Sequence, residues 1–388
     1  MRSSELSVTR PVASCDLSFQ LAALRVYTFR YPLATPVKTS FGVMRDRPAV
    51  IVEVEDCDGI RGWGEVWCNF PTVGAEYRAR LATMLGNDLL IGHRYDSPGA
   101  AFRALTDRTA VLAIQCGDAG SLAQTIAGID VALWDLAARR ANLPLWKLLG
   151  GAPRIGIYAS GIGPDKVGET VANAYLGGFR AFKFKVGFGR ARDRANLEEA
   201  FAAARDCPVM ADANQGWSVA EAVAMKEILC SRKLTWLEEP IRADESEQSW
   251  QTVARELTIP LAAGENIRKE SGFQDMLRQG NVAVIQPDIG KWGGFTGCLG
   301  IGRLVRRQGY RFCPHWLGGG VGLVAAMHLL AAVGGDGLME VDVNENPLRD
   351  ELMPWADWMC DGAVTLPPDP GLGAAPDLDK MRAWRIIL

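Results

Sequence analysis

A chain of 388 residues has room for two domains and a large core, and 48% hydrophobic with 22% charged residues is the balance of an ordinary folded soluble protein. The formal net charge of −3 gives no basic footprint for nucleic acid, and no apolar run of about 18 residues exists to span a membrane. Nine cysteines, an odd and scattered set without a C-x-x-C pair, argue against a disulfide scaffold or a zinc site and for reduced thiols in the cytoplasm.

In chain order, residues 1–18 are polar, lack the apolar core of a signal peptide and read as a tail. From Leu21 to about Val66 the pattern is β-rich: Leu24 to Phe29, Ala49 to Glu55 and Ile60 to Val66, with Asp58-Gly59 suited to a tight hairpin between the last two. Helical periodicity follows from about Ala75 to Leu145. Its clearest helix runs from Leu122 to Ala141, where Ile126, Ile129, Leu133, Leu136 and Ala137 keep the three-four spacing of one buried face. Asn142, tolerant of the left-handed cap conformation, and Pro144 mark its stop. Gly150-Gly151 then punctuates the chain, and a strand-helix rhythm begins at Ile155. The expected units are 1–18, 19–150, 151–350 and a Pro-, Asp- and Trp-rich 351–388 that packs back on the N-terminal part.

Within that rhythm a short buried strand ends in Asp212, and the event recurs at Glu238 and Glu265, 26 and 27 residues on. A strand, a helix and two loops take roughly 30 residues or fewer, so each step is one βα unit and each acid occupies the same strand end. Lys185 precedes the series by 27 residues, and Asp288, His315 and Glu340 continue it at steps of 23, 27 and 25. Seven successive strands thus end in Lys, Asp, Glu, Glu, Asp, His and Glu. In a closed parallel barrel those ends converge, and that rim is where barrel enzymes carry their functional residues.

The helix text from Ala127 to Ala137, followed by Pro144-Leu145 and Leu148-Leu149-Gly150-Gly151, resembles the enolase superfamily when taken with Lys183-x-Lys185, Glu238-Glu239-Pro240 and Gly264-Glu265-Asn266. Asp288 and His315 make it similar to the mandelate racemase subgroup. The resemblance implies a modified (β/α)7β TIM barrel under an α+β capping domain formed by 19–150 and the C-terminal segment. It also implies a magnesium ion, proton abstraction beside a substrate carboxylate, and a homo-oligomer. Cycloisomerisation as in the muconate branch would want a lysine where Asp288 stands.

The chemistry of the residues stands beside that likeness. Asp212, Glu238 and Glu265, brought within about 4 Å of one another, repel by several kcal/mol at an effective dielectric near 20. A hard cation removes the penalty, and few carboxylates with open positions suit Mg²⁺; the alternative is pairing with barrel Arg and Lys. Glu239 is expected to point to the opposite side by strand alternation. Asn214 either supports the metal shell or caps its turn. Lys183 and Lys185 share a strand face, and their mutual repulsion makes a neutral amine accessible, which qualifies Lys185 as a base. Asp288 can hold one ring nitrogen of His315 and leave the other facing substrate. Glu340 either donates to a carboxylate oxygen, if kept protonated, or forms a structural ion pair.

The assembled mechanism has the cation and Lys183 draw electron density from a carboxylate while Lys185 or His315 removes the α-proton. Loss of a β-hydroxyl then gives a 2-keto acid, the outcome the resemblance favours through acid-sugar dehydration; return of the proton gives racemisation or epimerisation. A non-catalytic ligand-binding barrel is the remaining class, and it would have lost at least one of these groups. The expected ligand is a small carboxylate. Trp67, Asn69 and Phe70 in the capping part, the segment from Tyr31 to Phe41, Asn214, and Trp316 after His315 are candidate substrate contacts, although such aromatics serve equally well as core.

Overall fold

The computed structural model describes residues 15–38 and 42–388, so most of the expected 1–18 tail and the end of the Tyr31 to Phe41 segment lie outside the described residues. An antiparallel sheet organises the N-terminal part. In it β1 (Phe19–Lys38) pairs along most of its length with β2 (Val43–Asp56), β3 (Arg61–Val66) takes the other edge of β2, and the short β4 (Arg94–Tyr95) joins the start of β1. The β2–β3 turn forms where Asp58-Gly59 predicts it. Gly59 takes φ +82°, and the Asp56 carboxylate accepts the Asp58 and Ile60 N–H groups at 3.0 and 2.9 Å.

Helices α1 (Gly74–Leu85), α2 (Pro98–Gln115) and α3 (Ala119–Arg140) cover this sheet, and α4 (Leu145–Leu148) leads away from it. Asp118 caps α3 by accepting the Ser121 N–H at 3.0 Å, and Asn142 ends it at φ +51°. Periodicity gave α3 one buried face; the structure buries two. Ile126, Ile129, Leu133 and Leu136 pack with the capping sheet, whereas Val131, Trp134 and Ala138 join the core of the barrel. The helix is a shared wall between two layers, which is why its buried residues run almost unbroken from Ser121 to Ala138.

Strand alternation decides what β3 presents to each side. Gly62, Gly64 and Val66 meet α3, and backbone touches backbone there: a Cβ on Gly64 would stand 2.1 Å from the Gly128 carbonyl. Trp63, Glu65 and Trp67 therefore face the barrel, and the two tryptophans belong to its core cluster.

The barrel has eight strands: β5 (Arg154–Ile162), β6 (Phe182–Lys185), β7 (Val209–Asp212), β8 (Leu237–Glu238), β9 (Leu261–Ala263), β10 (Val284–Ile285), β11 (Arg311–Phe312) and β12 (Leu338–Asp342). Consecutive strands from β5 to β11 pair in parallel, and β12 pairs with β5 from Leu338–Gly156 to Asp342–Ser160. Helices α5 (Val167–Leu176), α6 (Arg190–Ala204), the broken α7 (Val219–Ala224) and α8 (Lys226–Leu229), α9 (Glu247–Leu257), α10 (Glu270–Gln279), α11 (Gly294–Arg307) and α12 (Gly320–Val333) follow β5 to β11 in turn. This is the (β/α)7β barrel under an antiparallel capping sheet that the resemblance implies.

Residues 351–388 divide between the two parts. The hairpin of β13 (Met359–Cys360) and β14 (Ala363–Thr365) adds antiparallel to the start of β5, and β15 (Arg385–Ile386) pairs with β1 at Thr28 and Phe29. Among the described residues no helix is long and apolar enough to cross a membrane, and all nine cysteines are free thiols.

Candidate active site

The barrel interior has two storeys, and period-two alternation writes both. Tyr158, Ala181, Met210, Trp236, Ala262, Val284 and Cys313 form an apolar plug, with Tyr158 and Trp236 edge to face at 5.5 Å. Two residues further along several of the same strands the inward position turns polar. Tyr158 is followed by Ser160, Ala181 by Lys183 and then Lys185, Met210 by Asp212, Trp236 by Glu238, Val284 by Gln286 and Asp288, Cys313 by His315, and Leu338 by Glu340 and Asp342. Glu265 breaks the count, since it lies three residues past Ala262. Gly264 makes the extra step at φ +142°, where a Cβ would meet the Gln286 backbone at 2.8 Å.

All seven strand-end groups converge as predicted. Lys183 Nζ, with no exposed surface, lies 2.6 Å from Glu238, 2.9 Å from Glu340 and 3.7 Å from Asp212. Lys185 Nζ is 2.6 Å from Asp212. Across the barrel, His315 Nδ1 is 2.6 Å from Asp288, which fixes the ring orientation, and Nε2 is 2.7 Å from Glu265. Asp288 is itself held by the Gly290 and Lys291 N–H groups at 2.8 and 3.0 Å.

The charges settle one another. Burial works against the Lys185 ammonium and Lys183 opposes it further, yet Asp212 more than compensates and the amine stays above its usual range. The mutual depression of the two lysines is thus present but outweighed. Burial likewise opposes the His315 cation, and Glu265 with Glu340 overcomes it to hold the ring well above the ordinary imidazole range. Glu340 accepts from Ser160 Oγ at 2.5 Å as well as from Lys183. Burial raises its carboxyl, but Lys183 and His315 bring it below normal, so it takes the ion-pair alternative in this state.

Among the described residues no three acids, imidazoles or thiols are drawn together tightly enough to enclose an ion. Each of Asp212, Glu238 and Glu265 turns instead to a cation of the protein. The donor set nevertheless fits a hard divalent ion: three carboxylates on the adjacent ends of β7, β8 and the β9 loop, next to a Gln286 Oε1 and a Glu340 Oε2 that are buried without a hydrogen-bond partner.

Other groups complete the cluster. Lys291, from the loop after β10, donates to Glu265 at 3.0 Å and to Asn266 at 3.3 Å, with its ammonium 5.0 Å from the Trp67 ring centre. Asp288-x-x-Lys291 is the signal that would have found it. Glu239 does not point away. At φ +35° it leaves the strand, so alternation no longer applies, and its carboxylate accepts from the Asn266 amide that also reaches Glu265. Asn214 adopts φ +45° and donates to Asp212 from its backbone at 2.7 Å and its amide at 3.2 Å. Gln286 donates to Glu238 at 2.6 Å.

These groups open on a cavity of about 260 Å³, near the small end of ligand pockets. Of the expected substrate contacts, Trp67, Phe70 and Asn214 line it. Asn69 and Trp316 stand behind its wall: the Asn69 amide is bound to the Leu317 carbonyl, and Trp316 is 2% exposed with Nε1 on the Gly319 carbonyl at 3.0 Å. The apolar tone expected of the lining is partial, because Ser160, Gln215, Asn266, Asp342 and Asn344 share it. Arg47, from β2 and 1% exposed, holds Asp342 at 2.7 Å. A wider hollow of about 700 Å³ lies at the opposite rim around Cys207, Arg232 and Thr258, away from the strand ends that gather the acids and bases.

Comparisons with known proteins agree with this architecture. Residues 22–150 match the mandelate racemase/muconate lactonizing enzyme N-terminal domain, and residues 166–380 the enolase C-terminal domain-like family. A mandelate racemase/muconate lactonizing enzyme from Bordetella bronchiseptica RB50 superposes with a TM-score of 0.89 at 50% identity, over 94% of this chain and 99% of that one. A D-galactarolactone cycloisomerase from Agrobacterium fabrum is 30% identical over 95% of this chain and 99% of its own. The solved structure of an L-talarate/galactarate dehydratase mutant liganded with Mg and L-glucarate superposes at 0.83 with 25% identity, over 100% of this chain and 96% of that one.

Proposed function

Because the chain belongs to the mandelate racemase/muconate lactonizing enzyme family, we propose that it is a magnesium-dependent lyase that dehydrates a small polyhydroxylated acid to a 2-keto acid. The observation that carries this reading is the placement of Lys185 and His315 on opposite sides of one cavity whose lining mixes hydroxyl, amide and carboxylate groups. The similarity to a galactarate dehydratase liganded with Mg and L-glucarate points the same way.

Asp212, Glu238 and Glu265 would hold the ion, which when bound supplies Lewis-acid withdrawal of electrons from the substrate carboxylate. Lys183 donates hydrogen bonds to that carboxylate and stabilises the charge that develops on it. Lys185 accepts the α-proton at Nζ, for which it must first be neutral; any weakening of its pairing with Asp212 favours that form. His315, oriented by Asp288, delivers a proton from Nε2 to the departing β-hydroxyl, and the enol relaxes to the keto acid. On the other stereoisomer the roles exchange. Ser160, Asn214 and Asn266 supply the donors and acceptors that hydroxyl groups need.

A second reading is favoured by the 30% identity to a D-galactarolactone cycloisomerase. If the leaving β-oxygen belongs to a ring, the same two proton transfers open that ring and lose no atoms. The deciding experiment incubates the protein and Mg²⁺ in deuterated water with galactonate, galactarate, glucarate and galactarolactone, following the α-carbon by NMR and trapping carbonyl products with semicarbazide. Keto acid from the open-chain acids supports dehydration, and an isomeric product from the lactone alone supports cycloisomerisation. Deuterium at the α-carbon without elimination moves the reading to racemisation, and no exchange with any acid removes this substrate class.

A further inference from the structure

Helix α12 begins five residues after His315 and lacks a cap of its own. Its N-cap residue is Gly319, without a side chain to accept the free N–H groups of the first turn. The acceptor comes from the other domain. Glu65 on β3, 2% exposed, reaches across and takes the Gly319 N–H on one carboxylate oxygen at 2.5 Å and the Gly322 N–H on the other at 2.9 Å. The contact leaves no slack, since a Cβ on Gly319 would stand 2.8 Å from the same carboxylate. Asn69, further along the same side of the capping chain, binds the Leu317 carbonyl.

Between these clamps lies Trp316, bonded directly to His315. Its indole is laid across the first turn of α12, where a Cβ on Gly322 would be 1.9 Å from the ring, and its Nε1 holds the Gly319 carbonyl. Trp316 can therefore not turn without moving the turn that Glu65 grips. The His315 ring itself meets acids of the barrel, Asp288 at Nδ1 and Glu265 and, more distantly at 3.7 Å, Glu340 at Nε2, while its backbone N–H donates to the Pro287 carbonyl at 3.1 Å.

We propose that Glu65, assisted by Asn69, is a positioning residue for His315: a capping-domain carboxylate that sets the loop 316–322 and through it the imidazole. Only the catalytic consequence rests on the function proposed above. The placement of the ring is a property of the protein alone.

The test is two-dimensional ¹H–¹⁵N NMR of the histidine rings in the protein without added metal, where three histidines make assignment direct. Glu65→Gln keeps one acceptor and sets an NH₂ group against the remaining N–H, so it should move or broaden the His315 ring signals and leave those of His328 in place. Asn69→Ala should do the same to a smaller degree. Asp135→Asn is the control. Asp135 is also a fully buried carboxylate joining the layers, accepting the Trp63 and Leu372 N–H groups at 2.8 and 2.6 Å, but Leu372 adjoins His328. It should move His328 and not His315.

A folded Glu65→Gln protein with unmoved His315 signals overturns the proposal, as does an Asp135→Asn protein that disturbs His315 equally. If Glu65→Gln does not fold, Asn69→Ala decides by the same signals. With a turned-over acid, both variants should lower kcat and leave KM. Failure of the catalytic reading shows separately, as a wild-type protein that makes no product from any acid.

Discussion

Asp212 Oδ2 lies 2.6 Å from Lys185 Nζ, so one of the three acids proposed to hold a cation is also paired with the proposed proton carrier. Magnesium should therefore stabilise the fold in a titratable way, by about 2.7 kcal/mol at a hundredfold excess over Kd. Glu238→Gln should abolish both this shift and turnover while the circular dichroism stays native. Calorimetric melts with and without Mg²⁺ measure it; full turnover in chelator-treated protein would make the metal assignment wrong.

The two proposed proton carriers, on opposite sides of the cavity, predict two half-active mutants. Lys185→Ala should stop α-deuterium exchange of one enantiomer, a loss of about 10²–10⁴-fold, while His315 still exchanges the other. His315→Asn should show the reverse, and net turnover should fall in both. Exchange of both enantiomers at the wild-type rate in Lys185→Ala would leave a one-base mechanism through His315.

Asp288→Asn keeps the size of the side chain but offers an amide where the His315 Nδ1–H is accepted at 2.6 Å. The ring is then free to adopt the wrong tautomer. Activity should drop less than in His315→Asn, on the same face of the substrate. A loss on the Lys185 face would show that Asp288 acts on the whole loop and not on the ring.

The converging charges were legible because each needs only its own strand: a period of two inside the strand and a period near 26 along the chain place Lys183, Asp212, Glu238 and His315 without knowledge of any neighbour. What escaped depends on partners distant in sequence or on broken periodicity. Glu239 leaves the strand at a positive φ, and Lys291 sits in a loop. Glu65 and Arg47 act across the layer boundary, where β3 must first be laid on α3 by Gly62 and Gly64 before their side chains have a direction. Asn69 and Trp316, expected from the sequence as substrate contacts, stand on the far side of the cavity wall, a distinction of one side-chain orientation.

Arg47 and Asp342 form a buried pair joining β2 to the end of β12. Arg47→Ala strips Asp342 of its nearer cation and leaves it only the more distant Arg349 at 3.6 Å, so it should cost up to about 3–5 kcal/mol. Urea denaturation gives the value. The double variant Arg47→Met, Asp342→Leu should recover part of it, which a pair of independent contacts would not.

His328, fully buried, accepts the Trp146 N–H at 3.0 Å, and burial pushes its pKa down to about 3 from 6.5. Between those values the unfolded chain binds the proton and the folded one does not, so stability is lost as pH falls below 6.5, by about 1.4 kcal/mol per unit. Urea midpoints at pH 7, 6 and 5 should decline more steeply for the wild type than for His328→Gln. Parallel slopes would place the acid sensitivity elsewhere.

The pairing of Thr28 with Ile386 and of Ile155 with Val364 has a consequence for how the molecule is made. A ribosome delivers β1 and β5 long before the strands that cover their open edges. Unlike tandem domains, the two layers cannot mature one after the other during synthesis, and closure of such long loops is slow. Until β13 to β15 emerge, the nascent chain carries two exposed sheet edges, the surfaces on which chains add to one another. Final closure thus waits for the last strands, and chains stalled before Met359 are the ones that should need a chaperone.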